Sequence, residues 1–237
     1  MQTLGIEGKP SVRGSGDDVH VDIVNFSPGE IVSTDTMNTM YHQNWVGQHI
    51  ISCLLPDNTA DKTCDPNVKN SKASIVDFSP DIVLNPNVRL GNPKGQADTA
   101  LSNVSSSDIG YIFIDVSEGW FWPGPVSVNR AFLDNLLQRL KATTGKRSDY
   151  IGIRTSNDAW LNIMGNWTNP AEDGVMLWYV LLDGEAHDGL TPFGGWKSPS
   201  APIYTQYLEK KTLQGVHVGF NYHDTGFRTV VENHEYK

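Results

Sequence analysis

The feature that most constrains this chain lies in its second half. Residues 111–116 are apolar apart from Asp115, and a run of that length marks a strand buried on both faces. Phe132, Leu133, Leu136, Leu137 and Leu140 follow as a stripe of period 3.6. Ser127 is a candidate cap for that helix, and Gly145 closes it. Residues 150–154 read as another strand. A doubly buried strand, an amphipathic helix and a second strand in this order predict a parallel sheet with crossover helices.

The remaining segments extend the pattern. Strands are expected over 20–24, 49–55, 75–78, 82–84, 175–182, 202–207 and 214–221. Helices are expected over 37–46, capped by Thr34 or Thr36, and over 95–104 and 156–164, the last stopped by Gly165. No internal repeat or heptad pattern is present, which excludes a solenoid or coiled coil. At 237 residues the chain has the size of one closed barrel. The expected fold is therefore α/β, an irregular (β/α) TIM-like barrel in a single domain over residues 19–224. A flexible N-terminal segment (1–18) precedes it, and a tail (225–237) follows.

Charge narrows the partners. With 18 basic and 27 acidic residues the net charge is -9, and adjacent basic residues occur only in pairs such as Lys210 with Lys211, so nucleic acid is excluded as a partner. The longest apolar run, 175–182, falls far short of the ~20 residues of a membrane helix. Cys53 and Cys64 lie eleven apart across a turn-rich stretch, compatible with one local disulfide or two free thiols. N-x-S/T triplets at Asn25, Asn103 and Asn166 fit a secreted chain. His217 and His223 lack a third ligand in zinc spacing, so no metal site is expected. There is also no phosphate loop after a strand and no G-x-S-x-G elbow.

In a parallel barrel the working residues gather where strands end. Those positions give Asp22 after the first strand, Asp115 and Glu118 after the 111–116 strand, then Asp183, Gln206 and Asn221. Carboxylates at one rim can supply both the acid and the anion that face an oxocarbenium-like transition state. Trp120, Trp178 and Tyr179 offer aromatic faces on which pyranose rings stack.

The order of motifs resembles the glycoside hydrolase family 25 lysozymes, nearest their protist and invertebrate branch. The resemblance rests on Ile112, Phe113, Ile114 and Asp115, a Trp-bearing loop, a helix from near Asn129, and Ile151 to Thr155. It continues through Trp160, Gly165 to Thr168, Leu177 to Tyr179, Asp183 with Gly184, and Phe193 to Trp196. Ser198 with Pro199, Gln206 with Tyr207, and Val218 to Tyr222 complete it. It is close over residues 111–222 and looser over 21–104.

The resemblance implies a (β/α) barrel and a muramidase that cuts between N-acetylmuramic acid and N-acetylglucosamine in peptidoglycan, with no cofactor. It implies an Asp on the first strand, matched to Asp22. It implies an Asp-x-Glu on the fourth strand whose Glu is the general acid, and an Asp on the last strand. Here the fourth-strand motif carries Ser117 at the Glu position with Glu118 one residue on, and the last-strand position is Gly219. A hydroxyl cannot replace a protonated carboxyl at the leaving oxygen. Glu118 can serve only where strand alternation has ended. Two outcomes follow: a hydrolase with Asp22, Asp115 and Glu118 as its acids, or a catalytically reduced barrel that binds a glycan or protein partner in the same cleft.

Overall fold

The computed structural model describes residues 22–223 apart from 45, 77, 187–189 and 198–201. The expected segments 1–18 and 225–237, and the Ser198–Pro199 pair, lie outside the described residues. Fourteen main elements are described: β1 (Asp22–Phe26), α1 (Thr34–Asn44), β2 (Val46–Leu54), α2 (Cys64–Lys72), β3 (Asp81–Leu84), α3 (Pro93–Leu101), β4 (Ile112–Asp115), α4 (Val126–Thr144), β5 (Ile151–Thr155), α5 (Asn157–Met164), α6 (Asn169–Glu172), β6 (Met176–Val180), β7 (Tyr204–Leu213) and β8 (Val216–Tyr222). The eight strands close into one barrel in chain order.

Strands β1 to β7 run parallel to their neighbours. The eighth departs from the expected pattern, because β8 is antiparallel to both β7 and β1. Its cause is local. Gln214 and Gly215 both have positive φ, 52° and 81°, which matches the two-residue hairpin turn whose twist suits antiparallel strands. The barrel therefore closes through a hairpin rather than a helical crossover, and β7 reaches Leu213 instead of stopping at 207.

Alternation sorts the side chains. Val24, Ile51, Ile82, Ile112, Ile114, Ile151, Ile153 and Leu177 pack outward against the helices. Ile23, Ile50, Val83, Phe113, Trp178 and Tyr204 fill the barrel interior. Gly152 makes room for this filling, since a Cβ there would stand 2.4 Å from the Phe113 ring. Below this layer Tyr204 donates to Asp81 at 2.7 Å, and the Tyr111 N–H donates to the same carboxylate at 2.7 Å, so the carboxylate in the floor is paired. The packed interior leaves the C-terminal mouth as the one end where polar side chains gather around a cavity, as barrel physics leads one to expect.

The helix of 126–144 forms as expected, with its leucine stripe buried and Gly145 in the left-handed conformation. Its start differs: the cap position is Pro125, and Ser127 lies inside the first turn. Helix α1 begins earlier than expected because Ser33 takes the cap, accepting from the Thr36 N–H at 3.1 Å. Residues 75–78 form no strand among those described. Helix α2 was hidden in a stretch that reads as turns. Its Pro66 sits in the first turn, where a missing N–H is harmless, so the proline did not stop it.

The cysteine alternative is resolved in favour of a Cys53–Cys64 disulfide, which ties β2 to the first residue of α2. Closing an eleven-residue separation should restrict the unfolded chain enough to contribute about 2–3 kcal/mol. The double variant Cys53→Ala/Cys64→Ala should show that loss as a lower urea midpoint. A midpoint equal to wild type would mean the bridge adds nothing to stability.

Candidate active site

The mouth of the barrel holds a cavity of about 180 Å³ lined by residues of all eight strands and the loops that follow them, among them Asn25, Ser52, Asn85, Asp115, Arg154 and Glu209. Arg154, on β5, is its organising group. Its guanidinium spends all five N–H donors on protein acceptors. Nη1 donates to Asp115 Oδ2 at 2.6 Å and to Ser117 Oγ at 3.1 Å. Nη2 donates to Glu209 Oε1 at 2.8 Å and to Gln206 Oε1 at 2.7 Å, and Nε donates to the same Gln206 oxygen at 2.9 Å. The face of the guanidinium lies 5.2 Å from the centre of the Trp178 ring. This planar fork fits the two carboxylates and the amide as no lysine could.

Asp115 is correspondingly tied. Its Oδ1 accepts from the Ser117 hydroxyl at 2.5 Å and the Ser117 N–H at 2.8 Å, while its Oδ2 accepts from Arg154. Ser117 thus acts as a ligand of Asp115. From Gln206 the network runs on through amides. Gln206 Nε2 reaches Asn25 Oδ1 at 3.4 Å, Asn221 Nδ2 donates to the same oxygen at 3.1 Å, and Trp178 Nε1 donates to Asn221 Oδ1 at 2.7 Å.

These amides account for Gly219. A Cβ at this position would lie 2.4 Å from Asn25 Oδ1 and 2.6 Å from Gln206 Nε2. The volume that the resemblance assigns to a last-strand Asp is occupied here by two amide side chains.

Several expected site residues stand elsewhere. Asp22 is the first residue of β1, not its end, and alternation with inward Ile23 and Asn25 turns it to the outer face. There Tyr207 donates to its Oδ1 at 3.4 Å, and burial beside this carboxylate holds the Tyr207 phenol far above its ordinary range. Asn25, at the other end of the strand, takes the place at the mouth. Trp178, Gln206 and Asn221 are fully buried and build the network, and of the three Trp178 also borders the cavity. Tyr179 points outward into the core between sheet and helices, because alternation places it opposite Trp178.

Asp183 is exposed in the loop after β6 and accepts from the Glu185 N–H at 3.1 Å. Glu118 is exposed in the loop after β4 and does not line the cavity. Trp120, 60 % exposed, is the one expected aromatic platform open to solvent.

Two cavity groups escaped sequence reasoning. Arg154 was visible only as part of a motif. Glu209 was not visible, because its strand was expected to end at 207. The triplet at Asn25 also loses its reading as a glycan acceptor, since that side chain is bonded inside the mouth, whereas Asn103 and Asn166 are exposed in loops.

Comparisons with known proteins agree with this architecture. Residues 22–206 match the family model described as "Lysozyme-like protein 1". A Dictyostelium discoideum protein named "Probable GH family 25 lysozyme 4" is 32% identical over 165 residues, 67% of this chain and 73% of the relative. Another from the same organism, "Probable GH family 25 lysozyme 5", is 28% identical over 168 residues, 69% of this chain and 75% of the relative. Among solved structures, a family GH25 lysozyme from Aspergillus fumigatus superposes with a TM-score of 0.70 at 13% identity, covering 90% of this chain and 99% of its own. The chain belongs to the lysozyme-like family of glycoside hydrolase family 25.

Proposed function

We propose that the protein is a muramidase-type glycoside hydrolase that receives a peptidoglycan-type glycan at the barrel mouth. The observation that carries this is Asp115, placed at the C-terminal end of β4 inside the cavity, with both oxygens held by Arg154 and Ser117. A carboxylate fixed by three donors is preorganised to face positive charge that develops at an anomeric carbon, and it needs no rearrangement when that charge appears. Glu118 follows in a loop freed from strand alternation and beside exposed Trp120, which gives it the freedom to deliver a proton over a bound sugar. Exposed Trp120 supplies a stacking face for a ring. An oxidising, extracellular setting suits the disulfide and the exposed triplets at Asn103 and Asn166.

A second function, glycan binding without cleavage, has a specific observation in its favour. The motif position of the acid is Ser117, which is committed to Asp115, while Glu118 stands outside the cavity. Digestion of purified peptidoglycan followed by mass spectrometry separates the two. Fragments ending in N-acetylmuramic acid, with release lowered about 100-fold or more in Glu118→Gln, are expected from the hydrolase. Retention of glycan without fragments would make the protein a binder.

A further inference from the structure

The geometry points to Glu209 as a second catalytic carboxylate of this cleft, the base that takes a proton from the attacking water. This assignment rests on the hydrolase function proposed above. Glu209 belongs to β7, and regular alternation from inward Tyr204 and Gln206 would turn residue 209 away from the barrel. The strand is not regular there. Its pairing with β8 shifts register twice, between Gln206 and Leu208 and between Leu208 and Lys211.

Lys210, the next residue, has φ of +55°, the left-handed conformation that costs a side-chain-bearing residue energy. Leu182, whose N–H donates to the Gln206 carbonyl at 3.1 Å, is left-handed as well, at +54°. Irregularities of this kind re-aim side chains beside active sites. Here they bring the Glu209 carboxylate into the wall of the cavity.

Its surroundings define its role. Oε1 accepts from Arg154 Nη2 at 2.8 Å, on the same guanidinium whose Nη1 holds Asp115. The two carboxylates are thus fixed one guanidinium width apart. Oε2 has no hydrogen-bond partner among the described residues, and the side chain is 38% exposed, so this oxygen is open to a water in the cleft.

In the step assigned, a water oxygen bonds to the anomeric carbon as the glycosidic C–O bond breaks. Glu209 Oε2 takes the proton of that water, and Glu118 gives its own proton to the leaving oxygen. Exchange with solvent then restores both groups.

Two variants test this on peptidoglycan, with unfolding midpoints measured alongside. Glu209→Gln keeps an acceptor for Arg154 but cannot act as a base, so reducing-end release should fall about 100-fold or more while glycan binding persists. Glu209→Ala with added azide should cleave the glycan again, read by mass spectrometry as a glycosyl azide rather than as a reducing end, since the anion enters the vacated space and forms the bond to carbon directly.

Cleavage by Glu209→Gln at the wild-type rate would overturn the assignment while leaving the hydrolase function standing. Loss of activity in Glu209→Ala without azide rescue would also overturn it, making Glu209 only a support of Arg154. Absence of cleavage by the wild type itself would remove the hydrolase function and this role with it.

Discussion

Replacing Arg154 by Met should destabilise the protein by about 3 kcal/mol and abolish whatever the cleft does. The side chain is only 10% exposed, and it separates the carboxylates of Asp115 and Glu209. Removing the cation leaves two like charges facing each other at a partly buried mouth, the case in which breaking an ion pair costs far more than forming one contributes. Five hydrogen bonds go at once, and Gln206, fully buried, loses the donors to its Oε1. Urea denaturation reads the loss. The double variant Arg154→Met/Asp115→Asn should recover about 1 kcal/mol or more relative to the single one, because it removes half of the repulsion. Equal midpoints for the wild type and Arg154→Met would show that the network does not stabilise the fold.

Acid should weaken the fold through His49. This histidine, on β2, is fully buried on the outer face of the barrel, stacked on Phe26 at 5.3 Å, with Nδ1 2.8 Å from Ser71 Oγ of α2. Its Nε2 has no hydrogen-bond partner among the described residues. Burial without a charged partner pushes its pKa down from 6.5 to about 4. The unfolded chain therefore binds a proton before the folded one as pH falls. The stabilisation is complete above pH 6.5, is lost progressively between 6.5 and 4, and changes no further below that, a total of about 3 kcal/mol. His49→Gln keeps a polar partner for Ser71 but does not titrate, so its unfolding free energy should lack that slope. Parallel pH profiles for the two proteins over this window would contradict the assignment.

How much of this was legible in the sequence follows from the range of the forces involved. The β4–α4–β5 unit was readable because each piece is specified locally, by the apolar run before Asp115, the leucine stripe and Gly145. Asp115 was found because it ends such a strand. Asp22 falls at the start of β1 because the strand lies two residues later than expected, and a shift of two changes the end a residue occupies but not its face. The hairpin at Gln214 and Gly215 does leave a signal in the sequence, a glycine turn between two extended runs. Glu209 left none, and Arg154 only its place within the Ile151 to Thr155 motif. Their meeting joins residues 55 apart in the chain and depends on register shifts in the pairing of β7 with β8. Trp178 shows the converse, since its composition suggested a sugar platform while the barrel interior needed a large ring to fill it.

The central claim is that the mouth around Asp115 cuts a glycan. It is tested most directly by reducing-end release from purified peptidoglycan, measured for the wild type and Asp115→Asn together with glycan retention by each. Release by the wild type, reduced about 100-fold or more in a folded Asp115→Asn that still retains glycan, is the result expected of a carboxylate that stabilises the transition state. No release by a folded wild type that retains glycan would contradict it, and would leave a lysozyme barrel that binds without cutting.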